Sequence, residues 1–301
     1  MEGLKGELVR ITTADNLELH GLLYEPENKT DKALIHVHGL VGNFYENLYV
    51  EAIRNKAIDS GFAFLSFNNR GTGFVEDLIK RKKTKIEYVR IGGCLERFED
   101  CIIDIKTAAD FLGEKGYNNI ILEGHSAGCQ KIAFYRHRTK DKRVNGLILL
   151  APVDDVGYVK RHFGKKYEKA LKTAKNMAKK GKADSPVPKW MEFYPLFSAR
   201  VFLSVSDPKS SSGRIFDYSG ELKEIKNIEC PVLAVFGSKD EYEYRPGEKL
   251  KILKKNIKDC DTALIKNASH GFAGFEAELA KVIGEWLKDK QDKKNKPGTG
   301  A

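Results

Sequence analysis

Two periods of apolar residues alternate along this chain. In ELVRITTADNLELHGLLYEP (7–26), polar and apolar residues take turns on both sides of Asp15-Asn16. That is the period of two of a half-buried strand, and it predicts an antiparallel hairpin. KALIHVHG (32–39) and FAFLSFNNR (62–70) are nearly unbroken in apolar residues, as strands buried on both faces are. Residues 45–59 between them suit a helix. Leu95, Phe98, Ile102, Ile105, Ala109 and Leu112 recur at steps of three and four, one stripe of an amphipathic helix. NIILEG (119–124), a helix from residue 127 and NGLILLAPV (145–153) continue the alternation. PVLAVFG (231–237), a helix over 246–257, TALIKNA (262–268) and a helix over 273–288 close it.

Strands that alternate with helices imply right-handed crossovers, so the expected class is α/β: a mostly parallel central sheet with helices on both faces. The leading hairpin adds antiparallel strands at one edge. Between 154 and 228 the pattern lapses. Val159, Phe163, Tyr167, Leu171, Ala174 and Met177 mark one lysine-rich helix, followed by the aromatic, proline-broken SPVPKWMEFYPLF. So long an interruption exceeds an ordinary loop and reads as an inserted helical lid. The expected organisation is a core of 1–153 and 229–290, a lid of 154–228 and a disordered basic tail of 291–301.

One junction concentrates small residues. Between the strand ending at Glu123 and the helix after it stand Gly124, Ser126 and Gly128. A serine on a sharp strand-to-helix turn presents its hydroxyl above the sheet edge, where a base can take its proton. Among seven histidines, His270 in KNASHGF alone follows the last strand on a loop. Asp240, in VLAVFGSKDEYE, stands at the end of the preceding strand and is the first candidate to orient that imidazole. Glu241, and Asp154 or Asp155, are the alternatives. Oxyanion donors are expected from the backbone N–H groups of Leu40, after HVHG, and Ala127, just past the serine. His38 reads as a brace for the Leu40 loop, Arg70 of NNRGTG as scaffold, and Cys129 as a packing residue. Trp190, Phe193, Tyr194 and Phe197 are the candidates to line an apolar acyl pocket. No metal ligand set is expected.

Composition narrows the setting. The 301 residues are 41% hydrophobic and 31% charged, the balance of a folded chain rather than a disordered one. No apolar run approaches a membrane span, so stable membrane insertion is not expected. The five cysteines are odd in number and form no CxxC pair, which points to reduced thiols and a cytoplasmic setting. The net charge of +10 is uneven: residues 154–228 hold 16 Lys and Arg against 9 Asp and Glu. Without interleaved aromatics or a known module this reads as a solvated lysine surface, and nucleic acid is not an expected partner. The lid's charge does motivate an expectation that anionic or polar esters are preferred. Nothing in the sequence fixes whether the chain forms a homo-oligomer.

HVHG, NNRGTG, GHSAG, GSKD and ASHGF, in this order and spacing, resemble the α/β-hydrolase superfamily over residues 7–153 and 229–288. The resemblance implies a serine hydrolase working through an acyl-enzyme without a cofactor. Ser126 would be nucleophile, His270 base and then acid, Asp240 the orienting acid, and Leu40 and Ala127 the oxyanion donors. HGLVGNFYEN, GHSAGCQ and FSARVFLSVSDPKS are similar, more narrowly, to a family that includes fungal siderophore esterases. The expected activity is hydrolysis of a small carboxylic ester. A thioesterase, a peptidase, an acyltransferase and a silent binding protein of the same fold are the alternatives.

Overall fold

Period-two alternation gives β1 (Gly6–Thr12) and β2 (Glu18–Tyr24), an antiparallel pair with Val9 opposite Gly21. The computed structural model describes residues 5–295. The apolar runs become β3 (Lys32–Val37) and β4 (Ala63–Phe67), separated by α1 (Leu48–Asp59). A second hairpin, β5 (Asp77–Lys82) and β6 (Lys85–Arg90), was not expected. It holds the KRKKTK run; Lys82 pairs with Glu87 across the turn, and Lys85 pairs with it along β6.

The regular alternation follows as α2 (Cys101–Glu114), β7 (Asn119–His125), α3 (Ala127–Thr139) and β8 (Val144–Leu150). The single insert helix of the sequence reading is two helices. Gly164, at φ +48, separates α4 (Asp155–Phe163) from α5 (Tyr167–Lys179). Two short helices, α6 (Ala199–Ser206) and α7 (Lys223–Lys226), complete the insert. Then come β9 (Val232–Gly237), α8 (Pro246–Asn256), β10 (Cys260–Ile265) and α9 (Glu276–Asn295). The expected tail 291–301 thus begins as helix, and 296–301 lie outside the described residues.

The main sheet has the order β1-β2-β4-β3-β7-β8-β9-β10. From β4 onward every pairing is parallel, and only the β1–β2–β4 edge is antiparallel. Helices cover both faces; α1 packs with α9, and α2 with α3. Strand order reverses direction around β3, and such sheets bind ligands beyond the carboxyl ends of their strands.

Burial forms two cores. The larger lies between the sheet and its helices. The smaller joins Val159, Phe163, Leu171, Phe197 and Phe202 of the insert to Cys94, with Leu40 and Val41 packed against it. Ile215, Phe216, Tyr218, Leu222, Ile225 and Ile228 belong to the larger core, so the last part of segment 154–228 packs with the sheet and its helices. No helix among the described residues is long and apolar enough to cross a membrane.

Candidate active site

One buried strand delivers the turn that carries Ser126. From Ile120 onward β7 has no exposed residue, and it runs into α3 at Ser126, which sits at φ 54, ψ −126. A non-glycine residue at positive φ is strained, and here it lies on the strand-to-helix turn. The neighbouring glycines permit it. A Cβ on Gly124 would meet the Gly128 carbonyl carbon at 2.5 Å, and one on Gly128 would meet the Val37 oxygen at 2.1 Å. β7, α3 and the end of β3 therefore touch backbone to backbone. Ser126 N–H donates to the Leu150 carbonyl at 2.8 Å, tying the turn to β8. Cys129 is fully buried, and its Sγ donates to the Gly124 and Leu150 carbonyls at 3.0 and 3.1 Å. Burial pushes its thiol well above the ordinary range, consistent with a packing role.

His270 follows β10 and lines the same cavity as Ser126. Its Nδ1 lies 2.9 Å from Asp240 Oδ2. Asp240 Oδ1 accepts from the backbone N–H groups of Tyr242 and Glu243 at 2.9 and 3.1 Å, which fixes the carboxylate. Glu241, the alternative acid, instead accepts from the His270 backbone N–H at 3.0 Å. Asp154 Oδ1 accepts from the N–H of Gly157 at 2.7 Å as the cap of α4. Of the four carboxylates considered, only Asp240 meets the imidazole. His125 contributes something the sequence did not reveal: its Nε2 donates to the His270 carbonyl at 2.9 Å. Burial, reinforced by the nearby His270, lowers His125 to about 3, so that ring is neutral.

The chain after β3 passes close behind the serine. A Cβ on Gly39 would lie 2.8 Å from the His125 carbonyl oxygen and 3.1 Å from Ser126 Cβ, so only glycine fits. Leu40 and Ala127 both line the cavity beside Ser126. His38 is buried, and its Nε2 accepts from the Asn69 N–H at 3.0 Å. That bond fixes the tautomer with the proton on Nδ1, which donates to the Gly39 carbonyl at 2.9 Å. Burial, with Lys131 nearby, holds His38 well below the usual imidazole range. Asn69 Oδ1 in turn accepts from Lys131 Nζ at 3.0 Å, and Lys131 pairs with Glu96 at 2.8 Å. Lys131 is only 1% exposed. Arg70 spends its guanidinium on Asp15, Asp100 and Asp104, so it acts as scaffold and does not touch the loop carbonyls.

The cavity has a volume of about 180 Å³. Phe193, Tyr194 and Phe197 line it, with Tyr49, Tyr158 and Tyr242. Trp190, expected with them, is 43% exposed, carries Lys169 over its ring at 5.2 Å and is no part of the lining. The lid's charge lies away from the cavity. No lysine or arginine is among the lining residues, and Lys160, Lys165, Lys166, Lys169 and Lys172 point to solvent. They snorkel from the outer faces of α4 and α5, whose apolar faces are buried. The acidic residue at the wall is instead Asp155. A larger cavity of about 690 Å³ opens at the opposite end of the strands, beside Lys32, Asn119, Val144 and Pro231, and contains none of these groups.

Among the described residues no cluster of three His, Cys, Asp or Glu is arranged to hold a metal ion. A family model described as "Protein of unknown function (DUF1749)" matches residues 12–288. The chain belongs to that family. No curated protein matches the sequence. Solved structures do match this DUF1749 member in three dimensions. Est1E from Butyrivibrio proteoclasticus with ferulic acid bound aligns at 17% identity and TM-score 0.67, covering 94% of this chain and 99% of Est1E. The esterase Pf2001 from Pyrococcus furiosus aligns at 19% identity and TM-score 0.60, covering 95% and 91%. An alpha-beta serine hydrolase homologue from Coxiella burnetii aligns at 17% identity and TM-score 0.57, covering 95% and 100%. The fold is that of the α/β hydrolases.

Proposed function

We propose that this DUF1749 protein is a serine carboxylic-ester hydrolase. The observation that carries the reading is the 2.9 Å contact of His270 Nδ1 with Asp240 Oδ2, with His270 and Ser126 on one cavity. A carboxylate on Nδ1 leaves Nε2 as the proton acceptor, the tautomer a base for a serine requires. In this mechanism Ser126 Oγ attacks the ester carbonyl while His270 Nε2 takes its proton. The oxyanion is received by the N–H groups of Leu40 and Ala127. Collapse breaks the C–O bond, and the imidazolium returns its proton to the departing alkoxide. Water, deprotonated by the same imidazole, then releases the acid and restores the serine. Asp240 holds the ring through Nδ1 and stabilises the imidazolium.

The esterase names of the structural relatives agree with this reading. The cavity walls favour a compact acyl group with an apolar body, because Phe193, Tyr194 and Phe197 border it. Trp190 is not part of the proposed subsite. The five buried, unpaired thiols suit a reducing, cytoplasmic setting.

A fluorophosphonate probe tests the nucleophile. It is expected to label the wild type and not Ser126→Ala, and the wild type is expected to hydrolyse p-nitrophenyl esters of short acyl chains. Labelling that persists in Ser126→Ala, or no turnover of any ester in the series, defeats the proposal.

A further inference from the structure

Asp155 is the anomaly of the cavity. Six aromatic side chains line the cavity with it, yet no lysine or arginine does, in a chain of net charge +10. As the first residue of α4 it would ordinarily serve the helix terminus, but Asp154 Oδ1 already caps that end through Gly157. Its Oδ2 accepts from Gln130 Nε2 at 2.8 Å. The other bond of that amide, 3.0 Å to the Val153 carbonyl, fixes which end of the Gln130 side chain faces the acid. Among the described residues Asp155 forms no ion pair, and the remaining Gln130 Oε1 is buried without a partner.

The surroundings sharpen the imbalance. Glu243, buried, accepts from the Asp154 N–H at 2.8 Å, and its nearest cation, Lys249, is 3.8 Å away. Asp155, at the wall, thus has two further carboxyl groups near it, Asp154 and Glu243. Burial, reinforced by Asp154 and Glu243, pushes Asp155 up to about 8, so near neutrality it is largely the neutral acid. A carboxyl so displaced, within a cleft that also holds a nucleophile turn, is characteristic of a functional position. Aromatic faces and one acid together are the chemistry that recognises an ammonium group.

The geometry points to Asp155 as a specificity-determining residue that receives an ammonium group carried by the acyl part of the substrate. This deepens the esterase reading and rests on it. The lysine-rich exterior would then have no part in selection, and the preferred ester would be cationic and not anionic.

The test uses p-nitrophenyl esters of ω-aminoalkanoic acids graded in length, each against the alkanoic ester of equal length. The quantity read is the ratio of kcat/KM values within each variant. At the best length, the ratio for the wild type is expected to exceed that of Asp155→Asn by about tenfold, the scale of one desolvated charge contact. Equal ratios in the two proteins overturn the inference. A second measurement does not need catalysis: n-butylammonium is expected to bind the wild type, by calorimetry, more tightly than Asp155→Asn, with n-butanol showing no such difference. If no ester is turned over and Ser126 resists the fluorophosphonate, the hydrolase reading fails, while butylammonium discrimination still upholds the cation site. Equal butylammonium binding to both proteins removes it.

Discussion

His125 donates from Nε2 to the main-chain carbonyl of His270 across 2.9 Å, with the two rings 4.8 Å apart. The residue beside the proposed nucleophile therefore anchors the loop of the proposed base. His125→Phe keeps a ring and deletes the donor. Misplacing a reacting group by about 1 Å can cost roughly a hundredfold, so kcat should fall by about ten- to a hundredfold with a smaller change in KM. Unaltered kcat with p-nitrophenyl esters would show that the anchor is dispensable.

Asp240 and Glu241 are neighbours in sequence with different work. Asp240 meets the imidazole and Glu241 meets only the backbone N–H of His270. Asp240→Asn should lower kcat by about three to four orders of magnitude, because the ring is then held in the wrong tautomer. Glu241→Gln retains an acceptor and should lose less than about tenfold, since a neutral hydrogen bond replaces a charge-assisted one. Stopped-assay kinetics on the two variants separates them, and the reverse order would reassign the acid.

Lys131 and Glu96 form a buried ion pair beneath the Leu40 loop, joined to it through Asn69 and His38. Lys131→Met leaves Glu96 unpaired in the interior and should cost about 3–5 kcal/mol of stability. Combining it with Glu96→Gln should recover part of that loss. Denaturant unfolding of the two single variants and the double gives the coupling directly; strictly additive losses would mean the pair does not act together.

Stability should respond to pH through Asp155. Its folded carboxyl is raised to about 8, against about 4 in an unfolded chain. Between those values the folded state keeps a proton that the unfolded state has lost. Rising pH therefore erodes stability over that window, by on the order of 1 kcal/mol per unit, and the effect ends near the folded value. Asp155→Asn has no such proton to hold. Its Tm relative to the wild type should climb from mildly acidic to mildly alkaline solution, and a constant difference would refute the raised value.

Much of the fold was legible because its strands are of the kind that apolar runs announce. β3, β4 and β7 are buried along nearly their whole lengths, and their residues read accordingly. The β5–β6 hairpin was not legible, since neither strand has a buried face and lysines fill the turn. The break at Gly164 was masked by phase: Phe163 and Tyr167 stay four apart and both are buried, so the apolar stripe runs through the kink. At the site, Ser126, Asp240 and His270 could be named because each follows a recognisable strand. The inward-facing Gln130 and Lys131 could not be, because a polar residue that faces a neighbour looks the same in sequence as one that faces water, and Asp155 was named only as an alternative orienting acid. Trp190 was misjudged for the converse reason: aromatic character does not say which side of a lid a ring occupies.

The smaller core has a bearing on how the proposed activity diversifies. Leu40 and Val41 pack with the insert's own apolar residues, Ser198 N–H donates to the Cys94 carbonyl at 3.1 Å, and the Cys94 thiol donates to the Pro195 carbonyl. The segment that shapes the substrate chamber and the segment proposed to stabilise the transition state are thus parts of one solid block. Selection or engineering that reshapes the chamber for a new ester will perturb turnover along with affinity, and a grafted insert will work only if the Leu40 loop travels with it.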